Sequence, residues 1–171
     1  MISDELRELL DHMTWADAVV WTEVLDLPSA EADPRIGQLL HHVHAVQRAY
    51  LQVIREDPVD LLDLEDFESL DALAAWGRAS HEDLDDLVGD LGPGDLEREV
   101  RFPWAEHLAA RFGSVHPTTV RQGLHQIASH STYHRGQINT RIRELDGEPP
   151  LTDFVAWIWA GRPEADWPER G

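Results

Sequence analysis

The chain has 171 residues, no cysteine, and 33 Asp+Glu against 14 Lys+Arg, a formal net charge of -19. That length suits one domain with a real core. The missing thiols exclude disulfides, thiolate ligands and a cysteine nucleophile, and the charge repels phosphate backbones, so neither DNA nor RNA is expected as a partner. No apolar run reaches the roughly 18 residues of a membrane span. The start, Met1-Ile2-Ser3-Asp4-Glu5, lacks the basic and apolar stretches of a signal peptide, and a cytoplasmic protein is expected.

Helix signals dominate. Ser3 can cap a first helix over 4–26, ended by Leu27-Pro28. Asp33-Pro34, a cap followed by proline at the first helical position, opens a second helix that runs to about residue 56. The acidic stretch 56–66 reads as a solvated loop. A third helix is predicted from Ser69 to Val88, followed by the break Gly92-Pro93-Gly94. Residues 95–103 alternate weakly and suit an extended segment. A fourth helix opens at His116-Pro117 and runs to Leu145, with Asp146-Gly147 as its stop. Thr152 is read as the cap of a short fifth helix, 153–160. Four long amphipathic helices predict an all-α fold: a four-helix bundle with a long crossover and a short C-terminal helix, one domain over 1–160 with a tail over 161–171. The seven tryptophans are expected to fill the core.

Ten histidines are scattered through the chain, and helical geometry sorts them. In the second helix, His42 lies roughly 85° from the centre of the apolar stripe, at the edge of the core; His44 lies roughly 115° away on the other side, and His41 points at solvent. In the fourth helix His134 lies roughly 45° and His130 roughly 85° from the stripe, off one side, while His125 points away. His130 and His134 are thus i,i+4 neighbours on one border of the core, a spacing that can chelate a metal. Without an ion they would be half-buried histidines bonded to side chains or water. Three neutral imidazoles with a fourth position open match a catalytic zinc site, and nickel, iron or copper also accept such ligands. In the first helix Asp17 falls roughly 35° from the apolar centre. A carboxylate buried there needs a partner: a ligand histidine, a pocket in which it acts as base, or a salt bridge such as one to Arg141. His12 is a weaker candidate; His81, His107 and His116 are read as surface residues.

The motifs Thr14-Trp15-Ala16-Asp17, Leu39-Leu40-His41-His42-Val43 with Tyr50-Leu51, His125-Gln126-Ile127-Ala128-Ser129-His130-Ser131-Thr132-Tyr133-His134-Arg135-Gly136-Gln137, and Pro149-Pro150 with Asp153-Phe154 occur in an order that resembles the DinB/YfiT-like family of metal-dependent enzymes. The resemblance implies a four-helix bundle, a homodimer, and a divalent metal, zinc or nickel, held by His42, His130 and His134. Asp17 stands where the family often has asparagine, so a role as fourth ligand stays open. The resemblance further implies a transferase in which a low-molecular-weight thiol such as bacillithiol or mycothiol, activated at the ion, attacks a small electrophilic substrate in detoxification or stress response. Asp17 or Tyr133 would move protons. A metal-dependent hydrolase is the close variant, and a non-catalytic metal-binding stress protein the alternative. Nucleic-acid repair, suggested by the family's damage-inducible label, is disfavoured by the charge.

Overall fold

The computed structural model describes residues 2–168. Among these residues, six α-helices, two short 3-10 helices and one two-residue strand pair make the fold. Helix α1 spans Asp4–Asp26, α2 Pro34–Ile54 and α3 Leu70–Asp90. Each starts where a short polar side chain takes up a free helix-end N–H: Ser3 Oγ accepts from Leu6 at 3.3 Å, Asp33 Oδ1 from Ile36 at 2.8 Å, and Ser69 Oγ from Ala72 at 3.2 Å. Strand β1 (Glu99–Val100) pairs antiparallel with β2 (Thr118–Thr119), with Glu99 opposite Thr119. Between them lies a short helix, α4, Ala105–Phe112; α5 is Val120–Glu144 and α6 Phe154–Trp159.

Three local readings change. The last long helix does not open at His116-Pro117, because Thr118 and Thr119 are held extended in the strand pair. Its cap is Thr119, in a reciprocal box with Gln122: Gln122 N–H donates to Thr119 Oγ1 at 3.3 Å, and Thr119 N–H to Gln122 Oε1 at 2.9 Å. Helix α4 was not anticipated. It is closed by Gly113 at φ 79°, a left-handed stop that glycine adopts without strain. Thr152 is not the cap of α6; Asp153 holds that position, and the Thr152 carbonyl instead accepts from His12 Nε2 at 3.0 Å. Residues 169–171 of the predicted tail lie outside the described residues.

Helices α1, α2, α3 and α5 form the bundle. Helix α2 packs chiefly on α5, α5 also on α1, and α3 leans on α2 and more loosely on α1. Two apolar clusters fill it. One gathers Leu6, Leu10, Leu51, Leu84, Leu124 and Ile127; the other Trp21, Val24, Ile36, Leu73, Ile138 and Ile142. Along all four helices the clusters are separated by a layer of buried polar residues: Asp17 on α1, His44 and Gln47 on α2, His81 on α3, Ser131 and Arg135 on α5. The tryptophans divide. Trp21 and Trp157 are buried, whereas Trp159 is 80% exposed. Among the described residues no helix is long and apolar enough to cross a membrane.

Candidate metal centre

His42, His130 and His134 come together on the border between α2 and α5, level with the polar layer. Ligand-capable atoms of the three all lie within 4.8 Å of one another. His42 Nε2 faces His130 Nε2 at 3.2 Å, and the His134 ring is 4.3 Å from that of His130 and 4.6 Å from that of His42. Two nitrogens bound at 2.0–2.1 Å to one tetrahedral ion stand about 3.3 Å apart, so the His42–His130 spacing is that of two ligands of one ion. Behind the cluster, His134 Nδ1 donates to Gln137 Oε1 at 2.9 Å, while His130 Nδ1 is buried without a hydrogen-bond partner. Burial pushes His130 down to about 4, helped by its neighbours His134 and His42. His42 is lowered by burial, then by His134 and His41; although the residue is exposed, its ring tip is turned against His130. Both shifts favour the neutral imidazole, the form that ligates a metal.

A second triad, Asp17, His44 and His81, is also close enough for an ion, but the ligand atoms of Asp17 and His44 are already engaged. Trp21 Nε1 donates to His44 Nε2 at 2.8 Å, and His44 Nδ1 donates to Gln47 Oε1 at 2.8 Å, so His44 is a neutral ring with both nitrogens committed. Burial pushes it down to about 4, against the nearby Asp17 carboxylate, which raises it. Asp17 Oδ1 accepts from Arg135 Nη1 at 2.8 Å and Oδ2 from Gln47 Nε2 at 2.8 Å. His81 Nε2 stands 3.2 Å from the same Oδ2, off the line of a good hydrogen bond. Burial would raise the Asp17 pKa; the His81 contact and the Arg135 charge outweigh it and hold the carboxyl well below its usual range. Gln47 also donates to Ser131 Oγ at 2.8 Å and thus ties α2 to both α1 and α5. Apart from His81 Nε2, the polar atoms of this triad are hydrogen-bonded within the core, whereas the three-histidine cluster has ring nitrogens turned on one another.

Several placements depart from the helical-wheel reading. Asp17 joins neither the three histidines nor Arg141: its ion pair is with Arg135, and Arg141 binds Asp33 and Glu144. It is therefore not placed as fourth ligand or as a free base. His44 is buried and His42 exposed, the reverse of the order expected, and His41 is half-buried, stacked on Trp76 at 5.7 Å. The reason is that α2 is covered on two sides, by α5 and by α3, so one averaged apolar direction misplaces its flanks. His81, read as surface, is buried because α3 packs on both α2 and α1, and His12 is buried against Phe154 and Trp157. Tyr133 is 67% exposed and meets the His134 ring edge-on at 4.9 Å. His107, His116 and His125 are exposed as expected. Gln47, Ser131, Arg135 and Gln137 were missed. For Arg135 a signal existed: it follows His134 directly, so a helix that sets His134 at the core border can turn Arg135 inward.

The family model of the DinB family matches residues 1–166. The chain belongs to the DinB family. It is also similar to Protein DinB of Bacillus subtilis (strain 168), with 24% identity over 179 residues that cover 95% of this chain and 99% of the relative. DinB membership and the ligand-spaced histidines both fit a metal-dependent enzyme.

Proposed function

We propose that this DinB-family protein is a thiol S-transferase that works with a divalent metal, zinc or nickel, held by His42, His130 and His134. The observation that carries the reading is the contrast between the two triads. Of the two, the three-histidine cluster is the one that sets ring nitrogens of different residues against each other at ligand spacing, with no other side chain between them, and Asp17 has both oxygens engaged elsewhere. With three protein ligands and no carboxylate among them, a fourth position stays open for an exogenous molecule, the arrangement of catalytic rather than structural zinc sites. A divalent ion there lowers the pKa of a thiol or water beside it toward neutrality. The chain has no cysteine, so the thiol comes from a small cofactor such as bacillithiol and is transferred to a small electrophile.

The surrounding residues support that role. His42 and Tyr133 are exposed, so the open side faces solvent and a substrate can reach it. Tyr133, against the His134 ring, is the nearest candidate to exchange a proton with substrate. Asp17 acts at a distance by holding Arg135, the neighbour of His134. We place the protein in the cytoplasm, in a stress or detoxification role, as a homodimer; exposed Leu151, Val155 and Trp159 in and beside α6 are the apolar surface a second copy could cover. A hydrolase using water in place of the thiol is the second reading, favoured by the same open side.

Elemental analysis of the purified protein beside His134→Ala tests the proposal. About one equivalent of zinc or nickel is expected in the wild type, with loss in the variant, followed by thiol-dependent turnover of an electrophile panel. No uptake by wild type after incubation with either ion overturns the metal reading; uptake without thiol-dependent turnover, but with hydrolysis, transfers it to the second reading.

A further inference from the structure

We propose that Gln137 locks His134 in its Nδ1–H tautomer and so presets Nε2 as a ligand nitrogen before any ion arrives; the functional part of this rests on the metal reading above. An amide oxygen only accepts hydrogen bonds. Because Gln137 Oε1 lies 2.9 Å from His134 Nδ1, that nitrogen carries the proton. A neutral imidazole has one such proton, which leaves the lone pair on Nε2. The partners sit three residues apart on α5, neighbours on one helix face. The lock is therefore local and needs no tertiary rearrangement.

The other two histidines are not preset. His42 and His130 oppose Nε2 to Nε2 at 3.2 Å. With nothing between them, one must carry a proton there, or two lone pairs would collide. At least one of the two is thus in the tautomer that cannot ligate through Nε2. His130 Nδ1, buried without a partner, offers no acceptor to draw the proton to the other side. His134 is the one member of the cluster whose protonation pattern the fold settles in advance. Free neutral histidine prefers the Nε2–H form, so without Gln137 the proton would return to the nitrogen the ion needs. The acceptor is an amide, not a carboxylate. It orients the ring without adding negative charge behind it, which keeps the imidazole a neutral ligand.

The test reads the tautomer first, in protein stripped of metal. Nitrogen-15 NMR of the histidine rings at mildly alkaline pH is recorded for wild type, Gln137→Leu and Gln137→Glu. Zinc affinity is then measured by competition with a chelator. The lock predicts Nδ1–H at His134 in wild type, a shift toward Nε2–H in Gln137→Leu, and return to Nδ1–H in Gln137→Glu, which restores an acceptor. Zinc binding should weaken about 10–100-fold in Gln137→Leu and recover to within a few-fold in Gln137→Glu. A wild-type His134 found as Nε2–H, or a Gln137→Leu protein with unchanged tautomer, overturns the lock. If the tautomer follows the prediction and wild type takes up no zinc, the lock holds and the metal reading alone is refuted. Gln137 is half-buried, outside both apolar clusters, so loss of fold does not confuse the readings.

Discussion

Replacing Gly77 with alanine gives a sharp test of the buried polar layer, because the two candidate outcomes differ in sign. Gly77 lies inside α3, and a Cβ built there would stand 2.7 Å from His44 Cδ2, 2.7 Å from His44 Nε2 and 3.0 Å from His44 Cε1. If only helix propensity mattered, alanine would stabilise α3 by roughly 0.8–1 kcal/mol. The contact reverses this. Overpacking in a filled interior costs about 1–3 kcal/mol. The ring cannot retreat freely, since His44 is held by Trp21 Nε1 and by Gln47 Oε1, both at 2.8 Å. Moving it leaves a buried donor and a buried acceptor short of partners, at about 1–3 kcal/mol each when fully orphaned. With partial relaxation we expect a net loss of about 3 kcal/mol. At this chain length that is a fall in Tm of about 6–12 °C. Urea denaturation followed by far-UV circular dichroism measures it. Gly89→Ala, on the same helix with nothing within 4 Å of the added carbon, serves as control and should be neutral or slightly stabilising. A Gly77→Ala protein as stable as wild type, or more stable, would refute the close approach of His44 to α3.

Two further outcomes follow from the same layer. His44 is depressed from 6.5 to about 4 by burial. Its native form therefore refuses a proton that the unfolded chain accepts, and stability is full above pH 6.5 and lost as pH falls toward 4. The slope from this one group is about 1.4 kcal/mol per pH unit, up to about 3 kcal/mol in total. His12, also lowered chiefly by burial, acts in the same direction, and the depressed Asp17 extends the loss below about pH 3.8. A flat urea midpoint between pH 6.5 and 4.5 would contradict the burial of His44. Arg135→Met strips Asp17 of its guanidinium and leaves a carboxylate in the interior, with an expected loss of about 3–5 kcal/mol. Asp17→Asn in the Arg135→Met background should recover part of it, and a double variant no more stable than the single one would argue against the pair.

The bundle is legible in local signals along the chain. The caps at Ser3, Asp33 and Ser69, the stop at Asp146-Gly147 and the apolar periodicity act within a few residues, so they can be read without knowing what packs on what. The i,i+4 spacing of His130 and His134 belongs to the same local level, and so does their place on the edge of the core. His42 joined them through a family motif and an approximate direction, and the fold brought it within reach from the exposed side of α2. Which polar residues turn inward depends instead on how the helices pack. A helix wheel has one apolar direction, but α2 is covered by both α3 and α5; that second cover buries His44 and, with Gly77 opposite, lets its ring sit against the α3 backbone. The choice of Arg135 over Arg141 for Asp17 likewise depends on how α1 and α5 stand level with each other. The pairing of Thr118 and Thr119 with a strand some twenty residues earlier moved the start of α5 by overriding a local signal. Contacts between elements distant in sequence carry no local pattern, and in this protein they separate a buried, hydrogen-bonded polar layer from three histidines that face one another.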